Sequence, residues 1–228
     1  MTDFTYNFLQ LPALVYEGDA HSYLGLTKID VSGNPLKHSY GRIIHSDPVQ
    51  LWSTPNEKAD FETTLKFIPS SSNYSPADGL VFFMVPVGHN FPSDPDGGNL
   101  GIYPGPHCPK VFAVEFDIFP NNEWDPPYPH VGINIETRAS QYNVRIPEPF
   151  MGNEVTLRIN YVASEGRINV NVSNGTESKE FHNIKPLDLS SFLPEKVQVG
   201  LAGSTGDLVA KHDVSLWGFS SNLVKNGA

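Results

Sequence analysis

Apolar residues recur at every second position in one short segment after another along this chain. Phe61, Thr63, Leu65 and Phe67 alternate with more polar neighbours, as do Val155, Leu157, Ile159 and Tyr161, then Ile168, Val170 and Val172, and near the start Phe4, Tyr6 and Phe8. Successive side chains leave a strand on opposite sides, so a period of two marks a strand with one buried face. Richer runs at Gly79–Val85, Val111–Phe119, Val197–Leu201 and Val214–Phe219 predict strands covered on both faces. Gly, Pro, Asn and Ser separate these segments, and no helical stripe exceeds two turns. The pattern predicts an all-β chain of two antiparallel sheets packed face to face, with loops distant in sequence meeting at one end.

Length and charge narrow the function classes. With 228 residues the chain can bury a substantial core, and no Gly/Ser linker or charge block divides it, so a single domain over residues 1–228 is expected. A net charge of -10 and a pI near 5.1 argue against nucleic acid, whose phosphates require a basic face, and against anionic membranes. No apolar run reaches a membrane-spanning length, so no membrane insertion is expected. The segment Met1–Phe4 lacks a signal-peptide pattern, which fits a mature chain with an added initiator Met or a cytosolic protein. The lone Cys108 rules out an intrachain disulfide, while sequons at Asn73, Asn171 and Asn174 fit a secreted origin.

The stretch from Val111 to Asn134 carries the chemistry. On an extended strand Glu115 and Asp117 share a face about 7 Å apart, and no Lys or Arg lies between Val111 and Thr137 to relieve their repulsion. Asn121 adds an amide oxygen, Asp125 a third carboxylate and His130 an imidazole. The two strand acids alone would equally suit an acidic strand before a solvated turn; the additional donors favour a cation site. Hard cations such as Ca2+ take oxygen shells, whereas an imidazole suits Mn2+ or Zn2+, and five side chains exceed one ordinary site, so two adjacent metals are expected. Pro120, Pro126, Pro127 and Pro129 stiffen the loop.

Four motifs then carry a family resemblance: Ala77–Phe83 (ADGLVFF), Gly97–Gly101 (GGNLG), the Val111–Asn134 stretch, and His212–Phe219 (HDVSLWGF). Together they resemble the legume-type (L-type) plant lectins over nearly the whole length. The resemblance implies a jelly-roll sandwich with a flat back and a curved front sheet, Ca2+ and Mn2+ side by side, and a shallow carbohydrate pocket over the calcium. Glu115 and His130 would complete the manganese site, Asp117 and Asp125 would bridge both ions, and Asn121 with the backbone oxygen of Phe119 would ligate calcium. Sugar contacts would come from Asp78, Gly98, Phe119, Asn121, Asp207 and Leu208, with a cis peptide before Asp78. The implied partners are glycans and glycoproteins, the implied assembly a homodimer or homotetramer, and the implied compartment secreted or vacuolar.

Each residue also has a plainer reading: Asp78 as a turn acid, Gly97–Gly98 as a flexible turn, Phe119 as core. His45, His89, His107 and His212 read as surface or structural residues. Two other functions compete. A retaining jelly-roll β-glucanase would extend Glu115–Phe116–Asp117 with a second glutamate near position 119 or 120, but Phe119 and Pro120 stand there, so the acid pair needed about 5 to 5.5 Å apart is incomplete. A storage or defence relative without sugar binding would shorten or lose the metal loop, which this chain keeps. The expected activity is therefore non-enzymatic. Five residues separate Gly206 from His212, a short spacing that resembles mannose/glucose-type members.

Overall fold

The alternating segments of the sequence assemble into two sheets, seen in a computed structural model that describes residues 1–7, 14–22, 29–32, 36–72 and 75–225. Phe8 and the sequon at Asn73 lie outside the described residues. Strands are numbered in chain order. The nine-stranded sheet contains β1 (Thr2–Tyr6), β3 (His21–Ser22), β4 (Ile29–Asp30), β7 (Trp52–Thr54), β8 (Glu57–Ser70), β13 (Val155–Val162), β14 (Arg167–Ser173), β15 (Ser178–His182) and β17 (Lys211–Lys225). The eight-stranded sheet contains β2 (Leu14–Gly18), β5 (Tyr40–His45), β6 (Val49–Gln50), β9 (Gly79–Pro86), β10 (His107–Asp117), β11 (His130–Thr137), β12 (Tyr142–Arg145) and β16 (Lys196–Ser204). Their main paths run β15-β14-β13-β8-β17-β4-β3 and β12-β11-β10-β9-β16-β5-β2, so strands far apart in sequence are neighbours. Every pairing among the described residues is antiparallel.

The sheets close over one core. Phe61, Leu65 and Phe67 of β8 and Leu157, Ile159 and Tyr161 of β13 face Leu80, Phe82 and Met84 of β9 and Phe112, Val114 and Phe116 of β10. Phe67 meets Phe116 edge-on at 4.9 Å, a favoured aromatic geometry across the sheets. The opposite faces of β9 and β10 are also buried. Val81, Phe83, Val85 and Ala113 pack there with Leu100, Ile102, Tyr103 and the free thiol of Cys108. This second layer is why β9 and β10 read as continuous apolar runs.

Two expectations from the apolar runs need correction. β10 ends at Asp117 rather than Phe119, because the chain turns as Phe119 N–H donates to Asp117 Oδ1 at 2.8 Å. Val214–Phe219 is not covered on both faces: Val214, Trp217 and Phe219 are buried, whereas Ser215, Leu216 and Gly218 are half-exposed. A register shift against β8 between Val214 and Leu216 inserts one residue, which turns Leu216 outward. Among the histidines, His212 is fully buried, with its pKa pushed down to about 3 by burial, and His45 is buried against the Tyr6 hydroxyl at 2.6 Å. His107 is exposed.

Candidate functional site

The acids of β10 sit opposite β11 in a register that assembles them with His130. Asp117 pairs with His130, Glu115 with Gly132 and Ala113 with Asn134. Glu115, Asp117 and His130 are each at most 2% exposed. His130 Nε2 lies 3.3 Å from Glu115 Oε1. Gly132 leaves space that the Ser140 hydroxyl fills: Ser140 Oγ donates to Glu115 Oε1 at 2.6 Å, and a Cβ on Gly132 would lie 1.6 Å from Ser140 Oγ. The Tyr103 hydroxyl donates to Glu115 Oε2 at 3.3 Å. Ser140 and Tyr103 escaped sequence reasoning, since neither lies in the acid-rich stretch; a glycine opposite Glu115 was the available hint.

The loop after β10 is a closed turn. Asn121 N–H donates to Asp125 Oδ2 at 2.8 Å, while Trp124 and Asp125 N–H groups donate back to the Asn121 carbonyl at 3.1 and 2.9 Å. This returns Asp125 to the strand acids, so that ligand atoms of Glu115, Asp125 and His130 lie within 4.8 Å of one another. Asp117 stands beside this group but spends Oδ1 on the Phe119 N–H. Burial, then Glu115 and Asp125, hold the Asp117 carboxyl well above its usual range, and burial raises Asp125 to about 6.

This donor set fits a cation. Among the described residues, Asp125 Oδ1 and His130 Nδ1 are buried without a hydrogen-bond partner. Asn121 Oδ1 lies 3.3 Å from the Phe119 carbonyl oxygen and 3.2 Å from Asp125 Oδ2, so three acceptors face one another. Exchanging the amide oxygen and nitrogen would convert those contacts to hydrogen bonds; leaving the oxygen in place makes an all-oxygen corner of the type hard cations occupy.

Beside that corner, Asp78, Gly98, Phe119, Asn121, Asp207 and Leu208 line one cleft of about 270 Å³ together with Ala77, Gly97 and Gly206. The six residues come from four separate segments. Asp78 immediately precedes β9, Gly98 lies in a 3-10 turn (Gly97–Asn99), Phe119 and Asn121 follow β10, and Asp207 and Leu208 follow β16. Backbone bonds hold the walls: Asp78 N–H to Ser204 O at 3.2 Å, Ile118 N–H to Asp78 O at 2.9 Å and Gly97 N–H to Thr205 O at 3.0 Å. The Ala77–Asp78 peptide is cis. Asp78 is only 4% exposed, its Oδ2 has no hydrogen-bond partner of normal geometry among the described residues, and burial followed by the charge of Asp96 raises its pKa to about 7 against the lowering effect of the nearby Gly206 N–H. Asp207 is very different, 86% exposed and paired with Lys37 at 3.8 Å and His38 at 3.5 Å.

The legume lectin domain profile matches residues 1–228. The chain belongs to the legume lectin family. It is similar to agglutinin-2 of Cladrastis kentukea, 37% identical over 94% of this chain and 78% of that one. It is also similar to the mannose/glucose-specific lectin of Centrolobium tomentosum, 33% identical over 92% of this chain and 91% of the relative. Among solved structures, winged bean acidic lectin complexed with methyl-α-D-galactose superposes with a TM-score of 0.88 at 30% identity, covering 98% of this chain and 99% of that one. This legume lectin is thus one of a family of carbohydrate-binding proteins rather than enzymes. Among its described residues no helix is long and apolar enough to cross a membrane.

Proposed function

We propose that this lectin binds mannose/glucose-type glycans, free or on glycoproteins, in the cleft around Asp78, and that binding depends on Ca2+ and Mn2+ held beside it. The observation that carries the reading is Asn121, which lines the cleft and also turns its side-chain oxygen toward Phe119 O and Asp125 Oδ2. Glu115, His130 and Asp125 would hold Mn2+, with Asp117 and Asp125 shared with a Ca2+ completed by Asn121 Oδ1 and Phe119 O. Bound there, the two ions supply the positive charge that lets the buried carboxylates ionise together. The protein does the rest. Asp78 accepts hydrogen bonds from two sugar hydroxyls, the Gly98 N–H donates one, the Asn121 amide donates another, and the Phe119 ring packs on the apolar face of a pyranose. Asp207 and Leu208 form the outer rim.

Overall likeness does not choose the sugar, because similar identity links this chain to a mannose/glucose-specific lectin and to a lectin complexed with methyl-α-D-galactose. The short spacing from Gly206 to His212 supports the mannose/glucose reading. A glycan array with both metals present tests it; preferential capture by terminal galactose would replace the proposed specificity while keeping the site. The complete acid loop favours a binding protein over a storage relative without sugar affinity. We also propose a single domain, a secreted or vacuolar location and a homodimer or homotetramer. The outer face of the nine-stranded sheet carries Glu62, Thr64, Arg158, Asn160 and Asn171, so association through it would rest on polar contacts rather than an apolar patch.

A further inference from the structure

The acid loop and the glycine wall of the cleft are joined by one side chain that neither the metal nor the sugar assignment uses. Arg138 follows β11, and its guanidinium carbon lies 3.6 Å from the centroid of the Trp124 ring, in the turn that carries Asn121 and Asp125. Its Nη1 donates to Asn99 Oδ1 at 3.0 Å, and Asn99 is the residue after Gly98 in the 3-10 turn. Asn99 is buried, and its amide nitrogen donates to Asp94 O at 2.9 Å, so the turn is held from both sides. The Arg138 backbone is anchored too, accepting from Asn134 Nδ2 at 2.8 Å. The two bridged segments already touch: a Cβ on Gly98 would lie 2.9 Å from Trp124 Cζ2 and 2.6 Å from Asn121 Oδ1.

We propose that Arg138 is a positioning residue for sugar binding, fixing the Gly98 N–H against Asn121 by clamping Trp124 with its flat face and Asn99 with its edge. A planar guanidinium can stack and donate at once; a lysine ammonium is a single point charge and cannot reproduce both contacts. Without the clamp the 3-10 turn and the acid loop are free to separate, so the donor and the amide that face one pyranose lose their relative placement. The metal ligands themselves remain, because Arg138 reaches Asp125 through its charge alone and its hydrogen bond and ring contact go to Asn99 and Trp124. This inference rests on the sugar and metal reading above.

The test compares wild type, Arg138→Gln, Arg138→Lys and Trp124→Leu for metal content by elemental analysis, methyl mannoside affinity by calorimetry, and tryptophan emission without sugar. If wild type takes up neither metal nor any sugar, the functional reading falls and this inference with it. If wild type binds, Arg138→Gln should retain its metals, lose about tenfold in affinity, and shift Trp124 emission to the red. Arg138→Lys should stay weak, and full recovery by lysine would overturn the clamp in favour of simple charge near Asp125. Trp124→Leu should lose as much on its own and gain no further loss when combined with Arg138→Gln, which keeps the test decisive where one variant folds poorly. Unchanged affinity in Arg138→Gln and Trp124→Leu, with wild-type binding intact, would refute the positioning role alone.

Discussion

Replacing Asp78 with Asn keeps the shape of the side chain and removes its charge, which makes it the sharpest probe of the cleft. Asp78 N–H and C=O bond to Ser204 and Ile118 through the backbone, so those links survive the change. The carboxylate is buried and stands close to the like charges of Asp96 and Asp125, which together outweigh the favourable Gly206 N–H and His38. Removing a buried charge with that surrounding should not destabilise the fold, and the thermal midpoint should stay level or rise. Binding should suffer instead. A carboxylate accepts from two hydroxyls, whereas an amide offers one acceptor and one donor, so at least one charge-assisted bond worth about 1.5 to 3 kcal/mol is lost. That corresponds to a drop of roughly ten- to a hundredfold. Calorimetry with methyl mannoside and methyl galactoside, on proteins matched for metal content, reads it directly. Equal affinity in the variant with metals retained would move the sugar site away from Asp78.

The remaining expectations follow from the same geometry. Gly98→Ala should cut sugar affinity at least tenfold with little change in metal content, because its Cβ would press on Asn121 Oδ1 and Trp124; undiminished binding would show that the cleft wall can yield. Gly132→Ala should weaken metal retention during dialysis, since the new Cβ displaces Ser140 from Glu115. Asp117 and Asp125 have raised pKa values when no metal is bound, so in the folded metal-free protein they contribute stability at low pH that is lost as pH rises through about 6 and beyond. Metal must displace those protons, so the gain in thermal midpoint on adding Ca2+ and Mn2+ should widen from pH 5 to pH 7, and a constant gain would contradict the assignment. His212, with its lowered pKa, is common to both forms and drops out of that difference. Leu65→Ala, between the sheets, should cost about 2 to 5 kcal/mol in denaturant unfolding.

Strand period made most of the fold legible. Phe61 to Phe67 and Val155 to Tyr161 alternate because one face meets the core and the other meets water, and β9 and β10 lose the alternation because Leu100, Ile102 and Tyr103 cover their second face. β17 misled for a local reason: a single inserted residue shifts its register and leaves an apolar Leu216 half-exposed, which periodicity cannot register. The acid stretch was readable because Glu115 through His130 are close in sequence. Partners that arrive from elsewhere were not. Ser140 reaches Glu115 only because Gly132 stands aside, and Arg138, one residue beyond the cation-free stretch, folds back over Trp124 only through the turn after β11. The meeting of Asp78, Gly98 and Leu208 comes from sheet order, which puts β9 between β10 and β16.

The most direct test of the whole account is a titration of methyl mannoside into this lectin in three states: metal-loaded, chelator-stripped, and reloaded with Ca2+ and Mn2+. One saturable site per chain should appear in the loaded protein, vanish on stripping and return on reloading, with one ion of each kind recovered per chain by elemental analysis. Sugar binding that persists in protein free of divalent metal would contradict the dependence placed on Glu115, Asp117, Asn121, Asp125 and His130.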